Sequence, residues 1–312
     1  MKRTAFIFPG QGAQTTGMGR DFHQAYRSSR NVFETASEQL GYDMCDLLFN
    51  DERAQDLNIT ENTQPAILTA SCAMLFPLLE TGVKPDFTAG LSLGEYTAHV
   101  CSGSLSFEEC VSIVRKRGKY MQEAVPAGVG TMAAIIGLDR KLVEEACAEA
   151  GGRGAAEPAN FNCPGQIVIS GEARAVEKAC ALCRDKGAKR AIVLPVSAPF
   201  HSSLLVNAGN DLKKELEKYK FKDMKYKVIS NVTADVISDS SMISELLVSQ
   251  VTSPVLWWDS ILTLIGKGVD TFVEIGPGKT LTGFLKKIDP NVTGYNISTA
   301  DEFEEVRRMI WN

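Results

Sequence analysis

A serine hydroxyl becomes a useful nucleophile when a sharp turn lifts it clear of the backbone and a base stands beside it. Gly90-Leu-Ser-Leu-Gly94 meets the first condition. A strand-like Phe87–Gly90 precedes it and the helical Glu95-Tyr-Thr-Ala-His-Val-Cys101 follows, which is the strand-turn-helix setting of a nucleophile elbow. Glycines two before and two after Ser92 permit the strained turn and set the hydroxyl at the positive end of a helix. The chemistry this implies is transfer of an acyl group through an ester on Ser92.

The base must come from only three histidines. His23 sits in a polar helix near the start and reads as a surface residue. His99 lies seven positions beyond Ser92 on the same helix, roughly 10 Å along its axis, too far to reach the hydroxyl. His201, in Val196-Ser-Ala-Pro-Phe-His-Ser-Ser203, follows the serine in chain order as the histidine does in α/β-hydrolase-type enzymes. By elimination it is the base. No carboxylate in a distinctive setting presents itself to orient it, so a dyad with a backbone acceptor is expected.

The oxyanion of acyl transfer needs preorganised N–H donors. One is expected from the amide of Leu93, and a second from the loop Pro9-Gly-Gln-Gly12, where glycines allow close backbone approach. Gly276-Pro-Gly-Lys-Thr280 imitates the end of a phosphate-binding loop, but Val273 stands where the first glycine is required, so a nucleotide site is set aside. Arg117 is the informative charge. In a helix opening at Ser106, with Glu109 completing a capping box, it falls among the apolar positions Cys110, Ile113, Val114 and Met121. A buried arginine requires a partner. Spacing leaves two readings open, a structural ion pair or a site for an anionic ligand.

The elements that must position these groups alternate strand and helix in the first part: Thr4–Phe8, a Gly-rich turn, a helix near Phe22–Leu40, a buried helix after Pro65, and Phe87–Gly90. This order predicts an α/β fold with a parallel sheet, an α/β-hydrolase-like core given the elbow. From about Val129 the order becomes β-α-β-β-α-β: strand Thr131–Ile136, helix Lys141–Ala150, two strands split by Asn162-Cys-Pro-Gly165, helix Ala173–Lys186 and strand Arg190–Leu194. That is the order of a ferredoxin-like unit. We therefore expect a catalytic domain over 1–127 and 197–312, interrupted by a ferredoxin-like subdomain over 128–196. Helices 202–219, 241–250, 256–266 and one near Glu302–Ile310 follow, with strands Lys227–Asn231 and Thr271–Ile275.

Composition narrows the classes. A chain of 312 residues with 44% hydrophobic content buries a sizeable core, and a net charge of −5 speaks against nucleic acid as the main partner. The apolar stretch from Pro65 to Leu79 is interrupted by Thr69, Ser71 and Pro77, so it reads as a buried helix rather than a membrane span. Eight cysteines without an export signal suit free thiols in the cytoplasm. The Cys180/Cys183 pair has no second pair to complete a zinc site; no metal or cofactor is expected.

Taken together, Pro9-Gly-Gln-Gly12, Gly90-Leu-Ser-Leu-Gly-Glu95, Arg115-Lys-Arg-Gly118, Phe200-His201, Ser230-Asn-Val-Thr233, Gln250 with Ser253-Pro-Val255, and Glu274-Ile-Gly-Pro-Gly278 resemble the malonyl-CoA:acyl carrier protein transacylase family, in order over nearly the whole chain. The resemblance implies a ping-pong transfer of malonyl from coenzyme A, through Ser92, to the phosphopantetheine thiol of acyl carrier protein, for fatty acid or polyketide synthesis. It further implies that His201 is general base and acid, that the Gln250 main-chain carbonyl orients it, and that Gln11 and Leu93 amides form the oxyanion hole. By the same resemblance Arg117 pairs with the free malonyl carboxylate, Asn162 at the turn of the subdomain lines the cleft, and Phe200 favours malonyl over methylmalonyl. Leu91 stands where the family usually has histidine, and Leu205 where methionine is common.

Two rivals share parts of this pattern. A serine hydrolase or thioesterase would use the same elbow, base and oxyanion hole and admit water. A silent subunit would dock carrier protein through Arg184, Lys186, Lys189 and Arg190. Arg117 favours the transferase over the first, and the Ser92 and His201 pair argues against the second. Nothing demands more than a monomer.

Overall fold

The computed structural model of the chain describes residues 3–126, 128–196 and 198–311, apart from the Trp311 side chain. Nine strands are named here in chain order: β1 (Arg3–Phe8), β2 (Phe87–Gly90), β3 (Gly130–Ile136), β4 (Ala156–Cys163), β5 (Gln166–Glu172), β6 (Arg190–Val193), β7 (Lys227–Val228), β8 (Val269–Ile275) and β9 (Thr293–Ile297). Five form a parallel sheet in the order β7-β2-β1-β8-β9. Its central strand β1 is buried from Thr4 to Phe8, as expected where helices cover both faces of a parallel sheet. The helices Thr60–Glu80, Leu93–Ser102 and Phe107–Glu123 contribute much of the largest apolar core.

The remaining strands form an antiparallel sheet in the order β4-β5-β3-β6, the ferredoxin-like arrangement. One face packs Ala133, Ile135, Ile167 and Ile169 under the helices Arg140–Ala150 and Ala173–Asp185. Because side chains alternate along a strand, Met132, Ala134 and Val168 point the other way, into a cleft against the parallel unit. The expected junctions at 127/128 and 196/197 fall on Ala127 and Ser197, which lie outside the described residues.

Several expectations are corrected in detail. The segment near Phe22–Leu40 is two helices, Arg20–Ala25 and Arg27–Leu40, because Tyr26 between them is extended (φ −120°, ψ 134°). The expected helix 202–219 divides into a 3-10 turn, Ser203–Leu205, and a helix, Val206–Leu216. The strand expected over Lys227–Asn231 is regular only at Lys227–Val228. Its last residues turn into the site instead. Asn162 does not sit in the turn: it belongs to β4, and the turn is Pro164-Gly165. His23 is half-buried between the rings of Phe33 and Phe49, with centroids 5.2 and 5.7 Å away, rather than on the surface. The helices Met44–Phe49 and Thr280–Ile288, and β9, were not among the expected elements.

All eight cysteines are free, and Cys180 and Cys183 are buried on the inner face of one helix. Among the described residues no helix is long and apolar enough to cross a membrane.

Candidate active site

Phe8 and Gly90 are register partners at the ends of adjacent parallel strands β1 and β2, so the loops that follow them leave the same edge of the sheet. That is how Gly10-Gln11 comes beside Leu91-Ser92. The two loops touch through the Leu91 N–H, which donates to Phe8 O at 3.0 Å. A Cβ on Gly10 would collide with the Leu91 carbonyl, one on Gly90 with the Gly94 carbonyl, and one on Gly94 with Phe8 O. The elbow therefore requires glycine on both sides for reasons of space.

Ser92 itself is strained, with φ 54° and ψ −105°. A non-glycine residue holds such a conformation only when its surroundings enforce it. Asn231 does so: its Oδ1 accepts from Ser92 N–H at 2.6 Å and its Nδ2 donates to Gly90 O at 2.7 Å. Leu93 opens the following helix, so its amide has no intrahelical acceptor and points out at the helix N-terminus, beside the hydroxyl.

His201, also at positive φ (59°), places Nε2 at 2.7 Å from Ser92 Oγ and Nδ1 at 2.8 Å from the Gln250 carbonyl. Gln250 lies in the last turn of the helix Ile243–Thr252, where carbonyls have no intrahelical donor. The helix end thus supplies the acceptor that a carboxylate would otherwise provide. It holds the proton on Nδ1 and turns the Nε2 lone pair to the serine. Burial, reinforced by the Arg117 charge, pushes the imidazole down to about 4. His201 is therefore neutral at pH 7. His99 is fully buried against Ser104 Oγ at 2.8 Å, away from the cleft.

Arg117 is 1% exposed, yet no carboxylate holds it. Its NH1 donates to Gln64 Oε1 (2.8 Å), and its NH2 to Gln250 Oε1 (2.8 Å) and Ser92 Oγ (3.2 Å). Its Nε has no partner. Of the two readings spacing left open, the direct structural ion pair is absent among the described residues. A guanidinium held by two neutral amides, with no carboxylate bonded to it and a cleft in front of it, is suited to an incoming anion.

The cleft measures about 820 Å³ and lies between the two sheets. Ser92, His201, Arg117, Gln11, Phe200 and Asn162 all line it. Asn162 is buried with Oδ1 unpartnered. Leu91 lines the cleft, packed near Gly10, and Leu205 is fully buried in the 3-10 turn that follows His201. Residues the motif reading left without a role also meet here: Gln64, Asn231, the Gln250 side chain and Glu95. Glu95 had a legible signal, being the one acid in a helix whose ten residues are all buried. Asn231 lay in the motif Ser230-Asn-Val-Thr233, but its role was not legible, since its approach depends on where a short strand stops.

Comparison with known proteins gives the same answer from another direction. Residues 5–293 match the acyl transferase domain family. The chain is 47% identical over 305 residues to the malonyl CoA-acyl carrier protein transacylase of Bacillus subtilis, covering 97% of this chain and 96% of that one. The crystal structure of malonyl CoA-acyl carrier protein transacylase from Clostridium perfringens superposes with a TM-score of 0.95 at 47% identity, over 99% of this chain and 97% of that one. A malonyl-transacylase solved in complex with its type II PKS acyl-carrier protein superposes with a TM-score of 0.96 at 39% identity, over 99% of this chain and all (100%) of that one. The chain belongs to the malonyl CoA-acyl carrier protein transacylase family of acyl transferases.

Proposed function

We propose that this protein transfers malonyl from malonyl-CoA to the phosphopantetheine thiol of acyl carrier protein, through an ester on Ser92, in fatty acid or polyketide synthesis. The observation that carries this reading is Arg117, buried beside the nucleophile with no carboxylate bonded to it. A fixed cation there suits an acyl group that carries its own carboxylate.

In the first half-reaction His201 Nε2 takes the Ser92 proton as Oγ attacks the thioester carbonyl. The amides of Leu93 and Gln11 receive the oxyanion. Collapse expels coenzyme A as its thiolate, which takes the proton from His201. In the second, His201 deprotonates the carrier thiol, which attacks the ester; as the tetrahedral intermediate collapses, His201 returns that proton to the departing Ser92 Oγ, restoring both residues. The Gln250 carbonyl holds the imidazole in one tautomer throughout, and Arg117 holds the malonyl carboxylate bidentately. Phe200 crowds an α-methyl branch on the acyl group, and Asn162 lines the cleft. These steps use no metal or cofactor. We place the enzyme in the cytoplasm, as a monomer.

Intact-protein mass after incubation with malonyl-CoA tests the reading. A malonyl adduct that requires Ser92, by comparison with Ser92→Ala, and that passes to acyl carrier protein is expected. Adduct lost to water alone would point to a hydrolase, and no adduct to a silent subunit.

A further inference from the structure

Arg117 can select an acyl carboxylate only if its own acceptors are fixed before substrate arrives. One of them, Gln250 Oε1, belongs to an amide whose oxygen and NH2 ends are nearly the same shape. Turned over, it would present a donor to a donor. Two acceptors prevent this. Gln250 Nε2 donates to Glu95 Oε2 at 2.6 Å and to Ser92 O at 3.1 Å, and both of those oxygens can only accept in this arrangement. Glu95 Oε2 also accepts from Asn231 N–H at 3.1 Å, which is the residue that clamps the elbow. Glu95 Oε1 has no partner. A proton taken up by this carboxyl goes to Oε1, so Oε2 remains an acceptor in either charge state.

We propose that Glu95 is a positioning residue for acyl selection: through Oε2 it holds the Gln250 amide with its oxygen toward Arg117, and so orients the guanidinium for the substrate carboxylate. The arrangement also explains why a buried acid and a buried arginine so close together do not pair. The Gln250 amide stands between them, taking the arginine's N–H on one side and giving its own N–H to the acid on the other. Glu95 offsets part of the cost of burying the positive charge while leaving the face of Arg117 that looks into the cleft unoccupied. The inference rests on Arg117 being the carboxylate site.

The test compares kcat/KM for malonyl-CoA and acetyl-CoA in Arg117→Ala, Glu95→Ala, Glu95→Met and Glu95→Gln, with near-UV circular dichroism to check the fold. Glu95→Met fills the volume without an acceptor. The malonyl-to-acetyl ratio should fall about tenfold in Glu95→Ala and Glu95→Met, the loss of one hydrogen bond to a charged group. It should return toward the native value in Glu95→Gln, whose amide oxygen can replace Oε2. A merely structural role would lower both substrates together and leave the ratio unchanged. If Arg117→Ala abolishes the preference and folded Glu95→Ala or Glu95→Met retains it, the proposal is overturned. If Arg117→Ala itself retains the preference, the underlying reading of the site fails instead. Should neither apolar variant fold, Gln250→Met probes the same link from its other end, and an unchanged ratio there overturns the proposal.

Discussion

The base is the residue whose behaviour departs most from its free chemistry. An ordinary histidine titrates near 6.5, but His201 is pushed down to about 4, first by burial and then by Arg117. The proton that would charge it is excluded by desolvation, so the imidazole is ready to accept from Ser92 across the physiological range. The pH profile of kcat/KM, which reports groups of the free enzyme, should show no break at 6.5 from His201 and should fall only as pH approaches about 4. A break at 6.5 that disappears in a variant retaining activity without Glu95 would reassign the group. Arg117→Ala carries a second expectation. Losing the charge-assisted contacts to the substrate carboxylate should lower malonyl kcat/KM by roughly 10- to 100-fold or more. Acetyl transfer should be equal or better, and steady-state assays with both thioesters decide it.

At the scale of elements, the elbow is a close approach of three backbones rather than a property of one serine. In Gly94→Ala the added carbon meets Phe8 O, which belongs to the central strand and has no side-chain freedom with which to yield. We expect a loss of more than about 3 kcal/mol, a drop in Tm of roughly 6 °C or more, measured by thermal denaturation. Asn231→Ala acts differently, because it removes no volume the sheet depends on but leaves the buried Ser92 N–H without its acceptor. Stability should fall by about 1 to 3 kcal/mol. Acylation should slow more than substrate binding weakens, since the nucleophile loses its enforced φ and ψ. Rapid-quench measurement of adduct formation separates the two. A cap residue's contribution is visible in the same way at the helix Phe107–Glu123, where the Ser106/Glu109 box fixes the start of the helix that carries Arg117.

The whole molecule holds its two sheets together around the cleft by contacts that cross between them. Arg140 reaches Asp259 with both carboxylate oxygens at 3.0 Å, and Glu157 on β4 accepts from Ser203 just after the base. Burying titratable groups to build this cleft also makes stability depend on pH. His99 is held down to about 3 and His201 to about 4, so each is neutral in the fold and takes a proton in the unfolded chain below about 6.5. Their contribution is present above that value and is lost as pH falls toward 4, roughly 2 kcal/mol for each at pH 5. Glu95, raised by burial to about 7, has the opposite sign: its contribution is present below its unfolded value and lost as pH rises through 7. Urea unfolding at pH 7 and pH 5 should therefore show net destabilisation at pH 5. His201→Asn should recover roughly 2 kcal/mol of that loss, and an equal loss in both proteins would refute the assignment.

The sequence by itself determined the fold class and the chemistry on offer. Glycine spacing around Ser92 forced an elbow, the strand and helix order forced a parallel sheet carrying an antiparallel unit, and a three-histidine chain left one candidate base. These are local or combinatorial constraints, and local sequence carries them. Tertiary structure decided what meets Ser92 across the cleft. Asn231 arrives because β7 ends after two residues, and the carbonyl of Gln250 faces His201 because a helix stops there. Arg117 is left with glutamine partners rather than an acid, a choice that its helical position does not contain. Such contacts join residues from 49 to 139 positions apart, and no periodicity within one element encodes which end of another it will face.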